Sequence, residues 1–339
     1  MGQLHQGPSY RLPDRLGWEP LEPRPGHIPV LLTQVVSALS PCAGEVYVDC
    51  TAGLGGHAAA IACVMEADGA SAGPPATIIL NDADPQNLER ASYQVRAQAP
   101  RAVVHALRGN FAELPHKLPP LGLRANMVLA DLGFASTQVD DASRGFSFSQ
   151  DGPLDMRMDP TIPVSAADLV NSYSEDQLAE VIDRFGEDRN ARRIARKLVQ
   201  SRAGNPIQTT DRLAELVRAA SPGGKKKGGH IDPATRTFQA LRMVVNDEMG
   251  SLDALLGGMV REAEALAAHK PTAWLAPGAR IAVISFHSLE DRPVKRAMER
   301  LVVLGGTDLT DGAVTGGEDE VAANPRARSA KLRAVRLPR

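Results

Sequence analysis

The chain has 339 residues, 43% of them hydrophobic and 23% charged, which allows one large soluble domain and a smaller one. Its 38 basic and 40 acidic residues leave a net charge of −2, which argues against a uniformly basic surface. Cys42, Cys50 and Cys63 lack C-x-x-C spacing; they suggest neither a disulfide framework nor a zinc site and fit a reducing cytoplasm.

Residues 1–26 are proline-rich without a long apolar run, so they read as a disordered extension rather than a secretory signal. The Met-Gly start lacks Ser or Thr at position 6, and no later run reaches the length of a membrane span. Ile28, Leu31, Leu32, Val35, Val36 and Leu39 then follow the three-and-four spacing of a helix. "EVYVDC" reads as a strand, "TAGLGG" as its turn and "HAAAIACVMEA" as the next helix. Gly53-x-Gly55-x-x-Ala58 satisfies the dinucleotide fingerprint, yet D-x-T-x-G-x-G-G serves another adenosine-bearing ligand equally well. The loop alone does not choose.

The unit repeats with "ATIILNDAD" as a strand, "PQNLERASYQVRAQ" as a helix opened by Pro85, and "AVVHALRGNF" and "ANMVLADLGF" as further strands. Such alternation predicts a parallel sheet covered by helices, with ligands beyond the carboxyl ends of the strands. After Asp131 no comparable strand comes until "ARIAVISF" at 279–286, a gap that predicts an inserted domain. Its middle reads as helices: Ser174 and Gln177 form a capping-box pattern before "LAEVIDRFGEDRNARRIARKLVQS", and "TTDRLAELVRAA" follows. The insert is placed at 139–232, after which one or two helices return the chain to the sheet. "GGTDLTDGAVTGGEDEVAANP" reads as a flexible loop.

Candidate site residues fall at the predicted strand ends. Asp82 suits ribose hydroxyls, whereas Asp84 before Pro85 suits a helix N-cap. Asp131 ends the fourth strand, where a carboxylate serves either a ligand or the next turn. "RGFSFSQDGPLDMRMDP" at 144–160 has no regular period, and Phe146 and Phe148 either stack a base or form the loop's own core. Ser285, His287 and Ser288 lack the G-x-S-x-G elbow of a hydrolase, and His57 and His287 read equally well as capping residues; no histidine shows metal-ligand spacing. Three basic segments, 189–202, 223–230 and the C-terminal "NPRARSAKLRAVRLPR", offer contacts to a polyanion or simply solvated surface.

Together, "YVDCTAGLGGH", "DLGFASTQVDDASRGFSFSQDGPLDMRMD", "GEDRNARRIAR", "IDPATRTFQALRMVVNDE" and "ISFHSLEDRPVK" closely resemble the bacterial 16S ribosomal RNA cytosine-N4 methyltransferases that use S-adenosylmethionine. The resemblance implies an α/β, Rossmann-like class I methyltransferase fold over 27–138 and 233–339, with an inserted all-helical RNA-recognition domain at 139–232. It implies methylation of a decoding-centre cytosine in the small ribosomal subunit by a cytoplasmic enzyme without metal or membrane, with a homodimer as one form of assembly. Carried onto this chain, the cofactor contacts are Gly55, Gly56, His57, Asp82, Phe111, Asp131 and Gln138. Asp131, or the backbone carbonyls of Leu132–Phe134, is the expected acceptor for the reacting amine, and Phe134 or Phe146 the expected stacking partner of the base. Departures from the family pattern are Leu80-Asn81 before the second-strand acid, Ala83 for arginine, Ala135 for serine, Thr137 for proline and Gln34 for an acid. An NAD-dependent oxidoreductase and a non-catalytic ribosome-binding protein are the rival readings.

Overall fold

A computed structural model describes residues 28–68, 73–221 and 232–339. The element order begins α1 (Leu32–Leu39), β1 (Val46–Asp49), α2 (Gly56–Asp68), β2 (Thr77–Asp82), α3 (Pro85–Gln98), β3 (Val103–Arg108), α4 (Leu114–Lys117) and β4 (Ala125–Asp131).

 The extension read over residues 1–26 lies outside the described residues. The chain continues with α5 (Ser136–Asp140), α6 (Ala166–Ser172), α7 (Glu175–Gly186), α8 (Ala191–Arg202), α9 (Thr210–Ala220), α10 (Ala234–Val245) and α11 (Glu248–Ala267). It ends with β5 (Leu275–Ser285), α12 (Ser288–Val303), β6 (Thr307–Asp308), α13 (Glu318–Ala323) and β7 (Lys331–Arg336).

The strands form one seven-stranded sheet in the order β3-β2-β1-β4-β5-β7-β6. β1 to β5 pair in parallel, while β7 runs antiparallel to both β5 and β6. The sheet therefore grows one way from β1 to β3 and then the other way from β4. A crevice is left beyond the carboxyl ends of β1 and β4, where a Rossmann-like sheet takes its ligand. Small residues bring α2 close to the sheet: Ala58, Ala59, Ile61 and Ala62 are fully buried against Tyr47, Ile78 and Leu80. Asp84 caps α3 by accepting the Gln86 N–H at 2.9 Å, with Pro85 at the first helical position, as the sequence predicts.

Packing divides the chain into two units, one running to Gly133 and resuming at Asp253, the other Phe134–Leu252. The second is helical and has its own apolar core, in which Phe238 and Leu241 of α10 lie with Leu178, Ile182 and Ile194. It extends beyond 139–232 because α10 packs there instead of returning the chain directly to the sheet. The helical run over 178–201 is divided between two helices, α7 and α8. Glu187 adopts a left-handed conformation at the end of α7, and Asp188 accepts the Asn190 N–H at 2.8 Å.

The C-terminus also differs from its sequence reading. The stretch read as a flexible loop contains β6 and α13, and the stretch read as a basic tail supplies β7. Leu332, Ala334 and Val335 are buried, while Arg333 and Lys331 turn to Asp291 on α12. The Lys225–Lys227 run lies outside the described residues.

Candidate active site

The turn after β1 is built by its own polar atoms. Asp49, 2% exposed, accepts the Tyr47 hydroxyl at 3.0 Å and the Thr51 N–H at 3.2 Å. Thr51 Oγ1 in turn accepts the Asp131 N–H at 2.8 Å, tying the turn to the end of β4. Burial pushes the Asp49 carboxyl up to about 6.

Three glycines shape this turn for different reasons. Gly53 has φ of +53° and no side-chain atom near its missing Cβ, so its backbone conformation is what demands glycine. At Gly55, with φ of +83°, a Cβ would lie 2.7 Å from the Ala91 Cα on α3. At Gly56 it would lie 2.5 Å from the Pro29 ring. Gly55 and Gly56 thus let the turn sit against protein, whatever they do for a ligand.

Asp82 ends β2 with one oxygen accepting the Gly53 N–H and the other the Asp84 N–H, both at 2.8 Å. Each carboxylate oxygen retains acceptor capacity for a hydroxyl donor. Burial, with Asp84 and Asp49 adding repulsion, raises this carboxyl to about 7. Beside it, Asn81 is 1% exposed and donates to the Cys50 carbonyl at 2.9 Å and the Gly109 carbonyl at 3.1 Å. It thereby links the turns that follow β1 and β3. Phe111 stands two residues beyond Gly109, in a turn capped by Asn110.

His57 and Asp131 face each other across the ends of α2 and β4. The His57 Nε2 donates to the Val30 carbonyl at 2.9 Å, leaving Nδ1 3.8 Å from Asp131 Oδ2. Burial lowers the imidazole to about 4, so His57 is neutral near pH 7. Burial also raises Asp131 to about 8, helped by Asp49 and Glu290 and opposed by Arg326. The pair is accordingly a neutral imidazole beside a carboxylic acid rather than an ion pair. Asp131 Oδ1 is buried without a hydrogen-bond partner, as is Asn81 Oδ1.

Six of the seven expected contact residues therefore lie at strand or helix ends of the sheet unit. Gln138 belongs to the helical unit, where it is 4% exposed and its Oε1 accepts the Ala135 N–H at 3.0 Å. Ala135 has no side-chain acceptor to return that bond. In the same unit Phe134 is 40% exposed, stacks on Phe146 at 5.9 Å and lies 4.3 Å from the Arg242 guanidinium. Phe148 packs edge-on against Phe238 at 4.8 Å and belongs to the core.

Sequence reasoning passed over Asn81 and Glu290. Glu290 is 4% exposed, and its Oε2 accepts the Phe286 N–H at 2.9 Å. Its signal was the acid pair in "HSLED", which reads as ordinary first-turn chemistry of a helix. His287 caps α12 through Nδ1, and Ser285 Oγ lies 3.5 Å from Asp291 Oδ1, so these residues assemble no nucleophilic triad.

The family model of the MraW methylase family matches residues 24–337. The chain belongs to the MraW methylase family. It is 45% identical over 322 residues to the "Ribosomal RNA small subunit methyltransferase H" of Deinococcus radiodurans, covering 95% of this chain and 93% of that protein. Proteins of the same name from Acidobacterium capsulatum and Sorangium cellulosum are 43% and 44% identical, covering 92% and 94% of this chain and 98% and 93% of theirs. Membership makes the chain a methyltransferase and implies a methyl donor. One departure within this MraW methylase has a local cause: Gln34 donates to Glu320 Oε2 at 3.1 Å, where an acid would set two carboxylates together.

Proposed function

We propose that the chain transfers a methyl group from S-adenosylmethionine to N4 of a decoding-centre cytosine in 16S ribosomal RNA. The names of its relatives support the RNA of the small subunit, and the β1 turn with Asp82 supports an adenosine ligand. The observation that carries the reading is the unpartnered Oδ1 of Asp131, buried among Asp49 and Glu290. Such a crevice suits a cation that also donates hydrogen bonds, and a sulfonium-bearing amino acid is one.

The donor supplies an activated methyl group on a positively charged sulfur. Asp82 would hold the ribose hydroxyls, the turn over Gly53–His57 would hold the remainder, and Phe111 would cover the adenine. His57, fixed as the neutral tautomer by Val30, keeps a second positive charge out of the crevice. A cation near Asp131 draws its carboxyl toward the ionised form, and the resulting carboxylate can accept a hydrogen bond from the cytosine amine. That bond would localise the nitrogen lone pair and prepare a path for the departing proton. Phe134 offers an exposed ring face for an extruded base. In the helical unit, α8 exposes Arg192, Arg193, Arg196 and Lys197, a face suited to RNA phosphates.

The test is incubation with radiolabelled S-adenosylmethionine and unmethylated small subunits, followed by nucleoside analysis. N4-methylcytidine is the expected product. Label on a ring carbon or another nucleoside would overturn the assignment.

A further inference from the structure

The segment 318–328 has no part in the reaction described above, yet it is tied to the donor crevice through the chain before α1. Glu320 accepts the Leu31 N–H at 2.6 Å, and Asn324 Nδ2 donates to the Ile28 carbonyl at 2.9 Å. Ala327 is fully buried in the core that holds Val30 and Leu31. Between these anchors lies Val30, whose carbonyl fixes His57 beside Asp131. The turn Pro325–Arg328 is thus braced against the strand-end groups, with Asn324 capping it by accepting the Arg326 N–H at 3.3 Å.

Arg326 is exposed on that turn. Its neighbours on β7 have partners: Arg333 and Lys331 are both held by Asp291. Arg326 forms no salt bridge among the described residues. Of the charged groups acting on Asp131, Asp49 and Glu290 are acids and Arg326 alone is a cation. Arg326 is thus an unpaired guanidinium on a turn tied, through the chain at Ile28–Leu31 and the Val30–His57 bond, to the carboxyl-lined end of β4.

We propose that Arg326 is a substrate-contacting residue that binds an anionic oxygen pair, carboxylate or phosphodiester, at the edge of the donor crevice. The proposal rests on the methyl-transfer reading, because both reactants of that reaction carry such a group. The donor brings an amino-acid carboxylate and the RNA brings the phosphates flanking the target base. Acids that favour a sulfonium repel either anion, and a guanidinium fork matches both groups in geometry and charge.

The test compares the full chain with Arg326→Ala and Arg326→Lys. Calorimetry gives the affinity for S-adenosylmethionine without RNA, and initial rates give KM and kcat for unmethylated small subunits at several salt concentrations. Arg326→Ala should weaken one of the two about tenfold, with Arg326→Lys between it and the parent. Weaker donor binding at unchanged subunit KM identifies the carboxylate. A higher subunit KM, with the salt slope reduced by about one, identifies a phosphate. Unchanged donor affinity and subunit KM in Arg326→Ala overturn the proposal, as does a loss of both that follows a lowered melting temperature in both variants. Failure of the methyl-transfer reading shows instead in the parent, which would label no RNA.

Discussion

At Asp131, burial and two neighbouring acids keep a carboxyl protonated to about pH 8, against an ordinary value of 3.8. Between those values the folded chain holds a proton that the unfolded chain releases, so stability falls as pH rises through the window. Asp49 and Asp82 act in the same direction up to about 6 and 7. His57, lowered from 6.5 to about 4, acts oppositely, adding stability as pH rises between those values. Above 6.5 the acids stand alone. The unfolding free energy of the ligand-free protein should therefore fall between pH 6.5 and 8 by about 1.4 kcal/mol per pH unit for each proton retained, and the melting temperature should fall with it. Scanning calorimetry of Asp131→Asn should show most of that slope removed; an unchanged slope would contradict it. The role of Asp84 as the cap of α3 was legible because a proline fixes where the helix begins. Asn81 was not, since its partners Cys50 and Gly109 are far apart in sequence and meet it only through the sheet.

Among the elements, α8 separates its two faces cleanly. Ile194, Ala195 and Leu198 are buried, while Arg192, Arg193 and Lys197 are exposed and Arg196 pairs with Glu175 at 3.2 Å. Reversing Arg192, Arg193 and Lys197 to glutamate should leave the fold and donor affinity intact. RNA affinity should drop more than about tenfold, with a shallower salt dependence. Filter binding at three salt concentrations checks this, and equal RNA affinity would show that the face is merely solvated. The helix itself was legible from its apolar spacing. Its separation from α7 had a signal in "GEDRN", where Gly186, Asp188 and Asn190 are weak helix formers, and the break is made by the local bonds of Asp188. β7 was misread although Leu332 and Ala334 alternate with Lys331 and Arg333, the period of a strand. Charge density drew attention from the alternation.

At the scale of the molecule, the alternation of strands and helices made the parallel sheet legible, and the long gap after Asp131 announced an insert. The extent of that insert was hidden because α10 looks from sequence like any amphipathic helix, and only its packing on Leu178 and Ile182 assigns it. β4 and β5 lie side by side in the sheet, yet the whole helical unit intervenes between them in the chain. Closing so long a loop is slow, because its entropy is lost before the pairing contacts repay it. A helical unit with a core of its own can collapse first and shorten the span to be closed. Refolding should then proceed in two kinetic phases. In pulsed hydrogen exchange, amides of α7 to α10 should gain protection before those of β4 and β5, and simultaneous protection would show that the insert waits for the sheet.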